Sequence, residues 1–222
     1  MDRTAAGVRL AAALTRYRGV NALVLGIPRG GVPVSAEVAR ALGAQLDVIV
    51  ARKAGVPGEP EVALGAVTSD GARFVNDDLI GGLGLSTDAV DAAFEKAARE
   101  ARERDDRFRG GRPMPKMRDR TVIVVDDGIA TGATMLAAVR SVRKAKPARL
   151  VAAVPVGAPD TCELLANEVD DLVCLERPPL FMAVGQFYEH FPQVTDEQAR
   201  QLLEAGRADA DGSPTGPAVA VG

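Results

Sequence analysis

The chain has 222 residues, 47% of them hydrophobic and 26% charged, which is enough to bury one sizeable core within a single domain. Its formal net charge of −3 gives no general attraction to nucleic acid or to an anionic membrane surface, so any anion site has to be local. No apolar run approaches the roughly 18 residues that span a bilayer, and residues 1–19 carry charges through their apolar stretch. That pattern predicts a short amphipathic helix and not a leader.

Strand-like and helix-like segments then alternate. Residues 22–27 (ALVLGI) read as a strand, 34–42 as a helix and 46–51 (LDVIVA) as a second strand that ends in Arg52 and Lys53. Residues 54–61 (AGVPGEPE) have the Gly and Pro content of a mobile loop, and 62–67 and 72–75 flank the turn signal TSDG as a small hairpin. Residues 87–109 are the clearest helix: Ser86 or Thr87 caps it, and Val90, Phe94, Ala97, Ala98 and Ala101 recur at helical spacing. Glu95/Arg99, Glu100/Arg104 and Glu103/Arg107 mark its solvated side. After a breaker-rich link at 109–116 come a strand at 121–125, a helix at about 134–145, and strands at 150–156 and 172–175 around a helical stretch at 160–168. Short continuous β-rich runs alternating with helices predict a central parallel sheet covered by helices on both faces. A last helix is expected at 197–204. Residues 206–222, small, polar and Pro/Gly-rich, read as a disordered tail, leaving 1–205 as the domain. Cys162 and Cys174 read as buried thiols of a cytoplasmic protein, not as a disulfide.

The stretch VVDDGIATGAT, residues 124–134, carries the chemistry. The strand at 121–125 places Asp126 and Asp127 at its C-terminal end, where ligands sit in open α/β sheets. Gly128 to Thr134 then turn into a helix whose outward N–H groups, with the Thr131 and Thr134 hydroxyls among them, suit a phosphate. Gly132 has no Cβ to block an oxyanion. Two acids beside an anion site fit one ligand with two ends: the turn holds a phosphate, and the carboxylates accept hydrogen bonds from vicinal hydroxyls, as a ribose 5-phosphate would require. A Walker A ending is missing from both GIPRGGV and GIATGAT, and no GxGxxG follows a strand.

The segment VIVVDDGIATGATM resembles the PRPP-binding signature of type I phosphoribosyltransferases, and the similarity extends over most of residues 20–205. It implies that Asp126 and Asp127 hold the ribose hydroxyls and that Gly128 and Ala130, Thr131, Gly132, Ala133 and Thr134 cradle the 5-phosphate. It also implies transfer of the phosphoribosyl group to a nitrogen acceptor with release of pyrophosphate, within nucleotide metabolism. Magnesium would be carried by PRPP, with no direct protein ligands.

PRPP needs a second anion site. The resemblance places it at GIPRGGV, residues 26–32, with Arg29, Gly30 and Gly31 on pyrophosphate and an unusual, cis-type bond near Arg29–Gly30; the plain alternative is a Pro/Gly turn with an exposed Arg. Arg52 and Lys53 read either as surface cations or as groups that stabilise charge on the departing pyrophosphate. Residues 54–61 become the flap, where Glu59 and Glu61 read as solvated loop acids ahead of proton-transfer groups. In the hypoxanthine/guanine-type members an Asp stands in the slot of Ala130, so 6-oxopurine use by their usual mechanism is in doubt. The acceptor hood falls at 176–192 (ERPPLFMAVGQFYEHFP), with Phe181, Phe187 and Tyr188 as stacking candidates or as lid packing. His190 reads as structural or solvated ahead of acid/base. The partners implied are PRPP and the acceptor, without nucleic acid or membrane and with a homodimer left open. A PRPP-sensing protein without turnover is the rival reading.

Overall fold

The computed structural model describes residues 1–56 and 58–210. In chain order they form α1 (Arg3–Ala13), β1 (Ala22–Gly26), α2 (Gly31–Leu42), β2 (Gln45–Val48), β3 (Ala51–Val56), β4 (Glu59–Thr68) and β5 (Arg73–Val75). The chain continues through α3 (Asp77–Leu83), α4 (Thr87–Arg109), β6 (Thr121–Val125), α5 (Ala133–Lys144), β7 (Arg149–Val156), α6 (Pro159–Ala166), β8 (Asp171–Glu176) and α7 (Asp196–Ala210). Single turns of 3-10 helix add Thr15–Tyr17 and Val184–Phe187.

The main sheet has five parallel strands in the order β2-β1-β6-β7-β8. Its central strands β1, β6 and β7 are almost wholly apolar because both faces are covered, and side-chain alternation divides them between two layers. Val24, Ile123, Val125, Val151 and Ala153 face one core with α1, α2 and α7. Leu23, Leu25, Val122, Val124 and Ala152 face the other, with Met135, Leu136 and Val139 of α5. The expected fold class holds.

Four details differ from the expectations. The apolar run at 46–51 is not one strand: β2 ends at Val48, and the chain passes into a second, antiparallel sheet, β3-β4-β5. The Ile49 amide still donates to Gly26 of the first sheet, whereas the Val50 carbonyl accepts from Ser69 next to the second. A buried crossover is as apolar as a buried strand, so hydrophobicity did not mark the break. Arg52 and Lys53 therefore lie on β3 and not at the end of a parallel strand.

The expected flap loop is likewise built on paired strands: β3 and β4 run antiparallel from Ala51↔Thr68 to Val56↔Glu59, with irregular register at Ala54–Val56. The hairpin expected around TSDG is present as β4 and β5. The last helix extends beyond 204 to Ala210, and its Gly206 lies against Leu46, so residues 206–210 are not tail; residues 211–222 lie outside the described residues. The short helix α3 was not anticipated; Asn76 caps it by accepting from the Leu79 amide. No helix among the described residues is long and apolar enough to cross a membrane.

Candidate functional site

Two loops leave the sheet side by side. Gly26, the last residue of β1, pairs with Val125, the last of β6, so the segments 27–31 and 126–132 emerge from neighbouring strand ends. They are packed tightly. A Cβ on Gly31 would stand 2.7 Å from the Val125 carbonyl oxygen and 2.9 Å from Asp126 Cα. A Cβ on Gly30 would overlap the Asp127 carboxylate and stand 2.6 Å from its Cγ. The paired glycines are needed because the two loops touch. The cis bond expected at Arg29–Gly30 lies one residue earlier, at Pro28–Arg29.

The segment after β6 turns tightly into α5. The Ile129 amide donates to Val156 at 2.9 Å, tying the loop to β7. Gly132 then turns with φ of +72°, a left-handed conformation that favours glycine, and starts α5. Among the described residues the amides of Ala130, Thr131 and Gly132 donate to no protein acceptor. With the unpaired first turn of α5, they form a run of free N–H groups at the positive end of a helix. Thr161 of α6 braces this loop, its hydroxyl donating to the Ala130 carbonyl at 2.7 Å.

The two acids differ. Asp126 has no ion-pair partner among the described residues and accepts a hydrogen bond from the Asp127 amide at 2.9 Å. Burial, with the charge of Asp127 second, holds its carboxyl well above the usual carboxylate range. Asp127 is paired with Arg3 of α1, whose Nε donates to Oδ2 at 2.7 Å. Arg3 also donates to the Pro192 carbonyl at 2.7 Å and lies 3.7 Å from the centre of the Phe191 ring. Arg3 was missed by the sequence reading, because nothing in an amphipathic first helix indicates a partner 124 positions away.

The cations expected at pyrophosphate are not gathered. Arg29 lies 3.8 Å from Asp196 at the start of α7, and Arg52 pairs with Glu100 of α4 at 3.1 Å. Lys53 is exposed and has no ion-pair partner among the described residues. Packing of Ala51 and Ala66 on Ala133 and Ala137 docks the small sheet onto α5. That contact brings Lys53, Thr131 and Ala133 to one cavity of about 620 Å³, together with Asn76, Asp77 and Asp78. A larger cavity of about 920 Å³ opens near the start of β6, at Met117 and Asp119, and includes none of the motif residues.

The hood closes down on the acids. Val184 fills the space beside Gly128, where a Cβ would stand 2.5 Å from its Cγ1. Tyr188 is buried and donates to the Asp127 carbonyl at 2.6 Å; burial, and then the Asp127 charge, push its phenol up. Phe181 and Phe187 pack on each other with ring centroids 5.2 Å apart, and both lie against the cluster of Ala6, Val156 and Tyr188. None of these three rings lines the cavity that holds Thr131. His190 instead lines a separate space of about 560 Å³ with Arg3, Pro33 and Gln198.

Comparison with known proteins agrees with this geometry. The phosphoribosyl transferase domain family matches residues 3–189. Proteins from two strains of Mycobacterium tuberculosis, named provisionally as phosphoribosyl transferases, are each 45% identical over 221 residues, covering 96% of this chain and 50% of their own. The chain thus spans about half the length of the curated relatives it matches. The crystal structure of TT1426 from Thermus thermophilus superposes with a TM-score of 0.76 at 41% identity, covering 91% of this chain and 96% of that one.

Proposed function

The chain belongs to the phosphoribosyl transferase domain family, and from that premise we propose that it transfers the 5-phosphoribosyl group of PRPP to a nitrogen acceptor and releases pyrophosphate. The observation that carries this reading is the juxtaposition of free amides at 130–132 with two carboxylates and a glycine loop on adjoining strand ends.

In this reading the amides of Ala130 to Thr134 and the hydroxyls of Thr131 and Thr134 hold the 5-phosphate. Asp126 and Asp127 accept hydrogen bonds from the ribose hydroxyls and stabilise the positive charge that grows on the sugar as the bond to pyrophosphate breaks. The backbone of Gly30 and Gly31 offers the close approach that a pyrophosphate needs. Lys53 is carried by the small sheet to the same cavity as Thr131 and supplies a mobile positive charge. The protein orients the reactants and does little covalent chemistry; orientation of this kind contributes about 7–11 kcal/mol in favourable cases.

A magnesium ion arriving on PRPP would neutralise charge on the departing pyrophosphate. Asp126, a half-buried carboxyl without an ion-pair partner among the described residues, and Asp127 are hard oxygen groups compatible with an ion that PRPP itself carries, without forming a protein cage for it. One observation favours the rival reading of a PRPP-binding protein without turnover: Arg52 is paired with Glu100, and Arg29 lies 3.8 Å from Asp196, which Arg104 holds at 2.7 Å.

The test is a panel of nucleobases and amines with PRPP and magnesium, scored for pyrophosphate release against a control without acceptor. Acceptor-dependent release supports transfer. PRPP binding without release across the panel supports sensing, and absence of PRPP binding overturns both. Thr131→Val is expected to weaken PRPP binding selectively.

A further inference from the structure

The chain's two cysteines lie on different elements and face each other. Cys162 of α6 and Cys174 of β8 have their Sγ atoms 3.7 Å apart. Cys162 is fully buried, and Cys174 is half-buried, with its sulfur also 3.2 Å from the Glu176 carbonyl. Arg177, three residues beyond Cys174, adds positive charge that favours a thiolate on either sulfur. A hydrogen bond with the Cys174 thiol brings Cys162 down to about 7, while the same bond, with burial second, pushes Cys174 up. The bond between them thus favours a thiolate on Cys162 with the proton left on Cys174.

The pair also touches the loop after β6. Gly157 lies under both sulfurs: a Cβ there would stand 2.5 Å from the Cys162 sulfur and 3.3 Å from that of Cys174. Gly157 bridges to Ile129, and the next amide, Ala158, donates to the Ile129 carbonyl at 2.9 Å. The residue before Cys162 is Thr161, whose hydroxyl holds the Ala130 carbonyl at 2.7 Å. Two separate contacts thus run from the dithiol to residues 129 and 130.

We propose that Cys162 and Cys174 are a reversible oxidation site, closed to a disulfide by a peroxide, and that closure weakens sugar-phosphate binding at residues 130–134. The second half rests on the function proposed above; the first does not. A thiolate of the pair attacks one oxygen of hydrogen peroxide, the O–O bond breaks and hydroxide leaves, giving a sulfenic acid. The second sulfur then attacks the first, the S–O bond breaks and a second hydroxide leaves. The sulfurs lose two electrons to the peroxide; the one proton of the thiolate–thiol pair converts one hydroxide to water, and the other hydroxide takes its proton from solvent. Closure brings the sulfurs from 3.7 Å to about 2 Å, drawing α6 toward β8 and displacing Thr161 from the loop it braces.

The experiment treats the reduced protein with hydrogen peroxide and reads intact mass and non-reducing peptide maps. The expected result is loss of two hydrogens, a Cys162–Cys174 crosslinked peptide, and full return on adding dithiothreitol. Thiols that all remain open to alkylation after denaturation, or oxygen adducts without a crosslink, would overturn the site. Calorimetry with ribose 5-phosphate reads the coupling: affinity is expected to fall about tenfold on oxidation, within the range usual for coupled sites. Cys174→Ser should bind as the reduced protein does, with or without peroxide. Equal affinity of the oxidised and reduced protein would overturn the coupling and leave the oxidation site standing. If the reduced protein itself does not bind ribose 5-phosphate, the coupling and the phosphoribosyl reading both fall, whereas the crosslink is decided by mass alone.

Discussion

Replacing Arg3 with Gln tests whether the first helix and the hood are held to the sheet edge through Asp127. The Arg3 side chain is 10% exposed and that of Asp127 13%, so the pair lies close to the buried limit. An exposed pair is worth about 0–1 kcal/mol, whereas removing one partner of a buried pair costs about 3–5 kcal/mol by stranding the other charge. Residual exposure at a sheet edge lets water relieve part of that cost. For Arg3→Gln, which also loses the guanidinium contacts to Pro192 and Phe191, we expect about 2–4 kcal/mol. In a chain of this length that lowers Tm by about 4–16 °C.

Thermal and urea unfolding of Arg3→Gln, Asp127→Asn and the double variant at pH 7 separate the ion pair from general packing. The double variant leaves neither charge stranded, so it should be more stable than the sum of the single losses by at least about 1 kcal/mol. Losses that add to within about 0.5 kcal/mol would refute the reasoning.

Three further outcomes follow from the same geometry. Asp126 is held above its unfolded value, so the native state binds its proton more tightly; the stability this gives is complete below the unfolded pKa and is lost as pH rises through the folded one. Asp126→Asn should therefore raise Tm at pH 8 relative to wild type, with little gain at pH 4, while impairing PRPP binding; a parallel shift at both pH values would contradict the account. Gly30→Ala drives a Cβ into the Asp127 carboxylate and should cost about 1–3 kcal/mol of stability, as overpacking does, and also weaken sugar-phosphate binding; a variant unchanged in both would show that the loops do not touch. Lys53→Ala removes an exposed charge, so stability should stay within about 0.5 kcal/mol. Its PRPP affinity should fall, and unchanged affinity by calorimetry would remove Lys53 from the site.

The parallel sheet and the tight glycine turn into α5 were legible in the chain because each rests on local rules. Continuous apolar runs at 22–26, 122–125 and 150–156 are required of strands buried on both faces. A glycine at 132 is required by a positive φ at the start of α5. Neighbouring strand ends then bring GIPRGG beside DDGIATGAT once the order β1-β6 is set.

Where elements meet was not legible. The run at 46–51 looks like one strand because burial is uniform across the crossover, although its residues serve two sheets. The cations Arg29 and Arg52 looked available for an anion, yet the acids beside them, Asp196 and Glu100, stand on α7 and α4. Arg3 on Asp127, Val184 on Gly128 and Cys162 on Cys174 are contacts between segments that hydrophobic patterning treats as independent. The sequence alone determined which backbone stretches leave a strand end with glycines and free amides, since that depends on residues only a few positions apart. Which charges are engaged and which remain available was decided by the tertiary structure, because side-chain partners are chosen by packing in space and not by distance along the chain.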